Sequence, residues 1–204
     1  MDDPIPNHGA RSANRPFAIA DPGMAAALLA GRKTQMRVLV HSPLAQVAPG
    51  ERIAVREACI PGRYVAGQVY STSPANATFV IFPDGWRQHS DGSVKRGRRP
   101  TDPDHLWIPA IQMPDWAGRA TLIIERVRTE RLQRISRRDV RAEGAVPLLG
   151  GLLWRWPPPM PGRYLTASRA FAHYWNVRHA MPGERWEDDP PVVVLGFRVE
   201  LCSR

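Results

Sequence analysis

Apolar residues recur along this chain with two periods, and the period of each stretch assigns its element. Ile53 and Val55 alternate with Arg52, Ala54 and Arg56, so Glu51 to Glu57 is a half-buried strand entered from a Pro49-Gly50 turn. Ala120 to Val127, with Leu122, Ile123, Ile124 and Val127 apolar, and Val192 to Val199 are continuous enough to be core strands. Val38, Leu39 and Val40 form a strand that runs until Pro43, and Tyr64 to Tyr70 and Phe79 to Phe82 predict two more. Steps of three and four instead place Ala170, Phe171, Tyr174 and Val177 on one stripe of a helix over Thr166 to Ala180.

Two shorter helices are marked by their ends. Asp21 is placed as an N-cap, Pro22 fits the first helical position where no N–H is needed, and Gly31 supplies a left-handed end. Ser136 caps a second helix reaching Glu143, with Asp139 three residues on as a capping-box variant and Gly144 as its stop. Between these elements the period is lost. Residues 1–15 have little to bury and read as a flexible arm, with Phe17, Ala18 and Ile19 starting the fold. Pro83-Asp84-Gly85 is a turn, and Arg87 to Asp104 a solvated loop containing Lys95, Arg96, Arg98 and Arg99. Residues 145–164, with Gly150-Gly151 and Pro157-Pro158-Pro159, read as an irregular insertion. Trp107, Ile108, Ile111 and Met113 are expected to pack toward Pro114 and Trp116.

The chain has 204 residues, 43% of them hydrophobic, which suits one domain with one sizeable core. Its 21 prolines and 16 glycines argue for many turns and against a helical bundle, so the fold class is α+β. Net charge is +9, and only Lys33 and Lys95 among 28 basic residues are lysines. Arginine forks match phosphate and stack on bases, which favours a nucleic-acid partner; a coding bias toward arginine explains the composition equally well but leaves the net basicity standing. Cys59 and Cys202 form no close pair, so a reducing cytoplasm fits. No run reaches the ~18 apolar residues of a membrane span, and the polar N-terminus lacks the core of a signal peptide.

Candidate chemistry centres on the exit of the first helix. Arg32, Lys33, Thr34 and Arg37 emerge there together, and no acid lies between Asp21 and Glu51, so these donors face an anion, water or a buried partner. Arg56 and Glu57, taken as residues of the second strand, read as an exposed ion pair on a strand edge. Trp116 either stacks on a base or belongs to the core, and Arg119 precedes the strand beside it. Arg134, Arg137, Arg138 and Arg141 share one side of the Ser136 helix, as a solvated face or as a nucleic-acid ridge. His173 and His179, six apart, do not share a face as metal ligands, and no Walker loop, dinucleotide fingerprint, zinc pattern or nucleophile elbow is present. No cofactor or metal is therefore expected.

The helix ending in LLAGRKTQMR resembles the opening signature of the ASCH superfamily, a Gly-x-Lys-Thr followed closely by Arg. Three further stretches resemble that family in the same order: PGERIAVREAC from Pro49, WIPAIQMPDWAGRATLIIERVRTERLQRISRRDVRAEG from Trp107, and AFAHYWNVRH before the hydrophobic last strand. The matching pieces are spread over residues 16–201, and the chain looks like the longer ASCH-like proteins of bacteriophages and prophages. The resemblance implies a single PUA-like domain over 16–204, a small mixed β-barrel flanked by short helices with loop insertions near 83–106 and 145–164. It also implies RNA, single-stranded or modified nucleotide as partner, a pocket lined by Lys33, Thr34, Arg37 and Glu143 and by the second strand with Arg56 and Glu57, and a neighbouring platform made by the stretch holding Trp116 and Arg119.

One branch of that superfamily removes acetyl from N4-acetylcytidine with a lysine, a threonine and a glutamate. Lys33 and Glu143 match two of these roles, but the threonine falls on Met36, whose thioether has no proton to lose and cannot attack a carbonyl. Binding is therefore expected ahead of amide hydrolysis. A nucleoside- or RNA-acting hydrolase, including a ribonuclease, and a basic interaction protein without catalysis remain the alternatives.

Overall fold

The computed structural model describes residues 17–66, 68–97, 106–158 and 160–201. Its longest element pair is β9 (Ala120–Arg131) with β12 (Pro191–Leu201), antiparallel from Ala120 opposite Leu201 to Arg131 opposite Pro191, with an irregularity at Gly196/Phe197. β2 (Gln35–Leu39) pairs on the far side of β12, β3 (Arg52–Glu57) on β9, and β1 (Phe17–Ala20) runs parallel to β3. The order β1-β3-β9-β12-β2 makes a curled sheet, half of a barrel. Its two edge strands are joined directly by α1 (Pro22–Leu29), whose N-cap Asp21 accepts from the Met24 N–H and whose C-terminal side turns at Gly31, φ 66°.

β12 is apolar without alternation because both its faces are covered. Val193, Leu195 and Phe197 join Ile53, Val55, Leu122, Ile124, Ala25 and Leu28 in one core; Val192 and Val194 face a second core on the opposite side. The second core is covered by α2 (Arg137–Ala142), α3 (Ala167–Arg178) and a hairpin of β10 (Val146–Leu148) and β11 (Leu153–Arg155). Residues 145–164 are thus not irregular throughout. Left-handed backbone at Leu149, Gly150 and Gly151 turns the hairpin, and Trp154 and Tyr164 exchange two backbone hydrogen bonds of 2.7 Å. In α3 the buried stripe is Ala167, Ala170, Phe171, Tyr174 and Trp175, while Val177, expected on it, is 59% exposed. The indole of Trp175 takes the inward position and donates to the Glu184 carbonyl at 2.7 Å.

A second sheet is a meander of β4 (Ile60–Val65), β5 (Gln68–Ser71), β6 (Phe79–Ile81), β7 (Trp86–His89) and β8 (Val94–Arg96), in the order β5-β4-β6-β7-β8. Tyr64 to Tyr70 is therefore a hairpin, not one strand; Ala66 at φ 49° marks its turn. The stretch read as a loop from Arg87 holds most of β7 and all of β8, because its side chains are partly wet on both faces and leave no apolar alternation to read. Arg98, Arg99 and the rest of 98–105, the arm over 1–15 and Cys202 lie outside the described residues. No helix among the described residues is long and apolar enough to cross a membrane.

Candidate functional site

The turn after α1 is clamped on three sides. The N–H groups of Arg32 and Lys33 donate to the Ala27 carbonyl, the Thr34 N–H donates to Ala142 O at the end of α2, and the Phe197 N–H of β12 donates to Thr34 O. This aims the Lys33 side chain inward, where it is 2% exposed. Its ammonium donates to Glu143 Oε2 and to the Glu143 carbonyl, both at 2.9 Å. Glu143 is the C-cap of α2, so a helix whose capping box is formed by Ser136 and Asp139 delivers it to this point.

Arg37, on β2, donates to Glu143 Oε1 at 3.0 Å and to Glu130 of β9, with Asp139 at 3.5 Å. Arg128 closes the network from outside onto Glu130 and Asp139. Burial alone would raise the Asp139 carboxyl, but hydrogen bonds from Ser136 and the nearby charge of Arg37 outweigh it and hold it at about 2. Three cations (Lys33, Arg37, Arg128) face three carboxylates (Glu130, Asp139, Glu143), so the cluster carries no net charge and does not by itself attract an anion.

Lys33, Arg37 and Glu143 of this cluster form one end of a cavity of about 140 Å³. Ala18 and Ile19 of β1, Met24 of α1 and Met36 and Val38 of β2 line it, so it lies at the seam between the two sheet edges. α3 closes it with Phe171, Tyr174, Trp175 and Arg178. Burial, reinforced by the Glu143 charge, pushes the Tyr174 hydroxyl above its usual range. Arg178 pairs with Asp21 at the rim and lies 4.1 Å from the Tyr174 ring centre, and the imidazole of His179, lowered by burial, stacks on Trp175 at 3.8 Å. Arg37 Nε is buried without a hydrogen-bond partner among the described residues.

Of the residues singled out from the sequence, the structure brings Lys33, Arg37 and Glu143 together, with Met36 beside them. Arg32 and Thr34 point to solvent instead. Arg56 and Glu57 are not an exposed pair on an edge: β3 is an interior strand, Arg56 bonds Asp115 and the Ile111 carbonyl, and Glu57 is buried against Arg119. Arg119 also holds Asp84 at 2.7 Å and sits 3.9 Å over Phe82, so it joins the two sheets and does not line the cavity. Trp116 packs in a small third core with Cys59, Val80, Phe82 and Met113, whereas Ile111 is exposed. Arg134, Arg137, Arg138 and Arg141 are all exposed along the outer side of α2 and the turn before it.

Sequence reasoning missed Tyr174, Trp175, Arg178 and His179 as cavity walls. Of these only Tyr174 carried a signal, its place on the helical stripe, which marks burial but not what is buried. Among the described residues no group of His, Cys, Asp and Glu could hold a metal ion. No protein-family model matches the chain, and neither the characterised proteins nor the solved structures contain a significant match to it.

Proposed function

We propose that this chain binds a single nucleobase of RNA, or of a single-stranded or modified nucleotide, in the seam cavity, as a PUA-like domain of the phage ASCH type. The observation behind this is the Lys33–Glu143–Arg37 contact, the inner part of a six-residue cluster without net charge, at the end of a cavity of about 140 Å³ walled by Phe171, Tyr174 and Trp175. A cavity of ~150 Å³ holds one benzene-sized ring, so the space suits one heterocycle and excludes a whole nucleotide. A neutral ring also matches a cluster without net charge. Lys33 uses two of its three N–H donors on Glu143, and the carboxylate oxygens keep lone pairs beyond those given to Lys33 and Arg37. A base edge offering an exocyclic amine and a carbonyl can meet both.

Met36 in the cavity wall supplies no nucleophile, which favours recognition over amide hydrolysis. Titration calorimetry with the four ribonucleosides and N4-acetylcytidine tests this. Saturable binding of at least one is expected, lost in Met36→Trp, which fills the cavity. Chromatography of the acetylated nucleoside should show no cytidine released above buffer. Absence of binding by every nucleoside, or undiminished binding by the filled variant, would sink the assignment; rapid deacetylation would replace it by an enzyme.

A further inference from the structure

The ion-pair cluster at the end of the seam cavity has no net charge to hold a phosphate, yet any RNA strand brings one per nucleotide. On the outer side of α2 the structure has a separate place for them. Two concavities of about 350 and 480 Å³ share Arg141 and Pro147 as lining residues, and so form one groove between the turn after α1, α2 and the β10–β11 hairpin. Arg32 stands at one end, Arg141 in the middle, and Arg137 and Arg138 at the other end.

Three features make this more than a solvated basic face. First, Arg32, Arg138 and Arg141 form no ion pair with any carboxylate among the described residues, because the acids of this region, Asp139 and Glu143, face the opposite side and are taken by Arg37, Arg128 and Lys33. Mutual repulsion at these helical spacings is left for a ligand to relieve. Second, Arg137 is already fixed: it donates to Gly151 O at 2.9 Å and lies 5.8 Å from the Trp154 ring centre. Gly151, at φ 93°, is bound to this arrangement, since a Cβ there would stand 3.2 Å from Arg137 Nη2. Third, the groove begins at chain neighbours of the cavity cluster, Arg32 before Lys33 and Arg141 two residues before Glu143, although groove and cavity have no lining residue in common.

We infer that this groove holds the sugar-phosphate backbone of single-stranded RNA whose base enters the seam cavity. The inference rests on the nucleic-acid reading above. Phosphate contacts position a strand without reading its sequence, so the groove supplies affinity and the cavity supplies selectivity.

Fluorescence anisotropy of labelled single-stranded RNA over a salt series separates the possibilities. The double variant R138E/R141E should weaken binding of every sequence by at least about tenfold at low salt and reduce the salt slope by about two. R32E should act in the same direction from the other end. The control R163E/R169E makes the same change in net charge at exposed positions outside the groove, and should lose much less. All five are surface positions of the groove or control face, and circular dichroism checks that each variant folds. Equal losses in groove and control variants would overturn the groove while leaving the cavity reading intact. Failure of the unmodified chain to bind RNA at low salt would overturn both. Competition by polyglutamate as effective as by unlabelled RNA would also overturn the inference, since the groove would then read charge and not phosphate.

Discussion

Glu143 is the acid that both Lys33 and Arg37 touch, and all three side chains are almost wholly buried. Removing one partner from a buried ion pair strands the other charge. Glu143→Leu should therefore cost about 3–5 kcal/mol, read as a lower urea midpoint at unchanged slope. Lys33→Met leaves Glu143 with Arg37 and should cost less. Cys59 tests burial elsewhere: burial, with the Glu57 charge adding to it, pushes its thiol up to about 12. In a Cys202→Ser background the native protein should resist disulfide reagents at pH 8 and react once unfolded; fast native labelling would contradict this packing. At this scale the sequence named Lys33, Arg37 and Glu143 but could not say that Glu130 and Asp139 complete the cluster. That depends on β9 lying beside β12 and β12 beside β2, a juxtaposition with no local spacing behind it.

Elements with chemically marked ends were legible; elements set by tertiary pairing were not. Asp21, Pro22 and Gly31 bound α1, and Ser136, Asp139 and Gly144 bound α2, as their side-chain and backbone chemistry requires. The 146–155 hairpin was hidden because its turn is built from Leu149 as well as two glycines, and a leucine with left-handed backbone gives no turn signal. Ser136→Ala should cost α2 about 1 kcal/mol and, since Glu143 hangs from the same helix, should also weaken nucleoside binding measured by calorimetry. Gly62 in β4 gives a second test at this scale. A Cβ there would stand 2.4 Å from the Phe79 ring, so Gly62→Ala should destabilise by ~1–3 kcal/mol without touching the cavity.

Across the whole molecule, the Glu57–Arg119–Asp84 link is where the half-barrel meets the meander, and it responds to acid opposite in sign to the cavity cluster. Burial raises the Glu57 carboxyl against the lowering by Arg119, so its contribution is full below the ordinary value of 4.5 and is lost as pH rises through the raised one. Asp139, held at about 2, contributes above its ordinary 3.8 and loses that contribution as pH falls toward 2. Asp139→Asn should therefore flatten the acid limb of a stability–pH curve and Glu57→Gln the rise side, measured by urea unfolding at each pH. An unchanged limb in either variant would reassign the titration. The cavity itself was not legible as a shape, because its walls come from both edges of one sheet. Those edges are consecutive strands, separated along the chain by residues 21–34, of which the eight-residue α1 is the helical part. A helix grows by ~5.4 Å per turn, so α1 is a spacer gauge: one inserted turn would widen the opening while the charged floor stayed in place, and ligand size could be reset by length alone, with no pocket residue replaced.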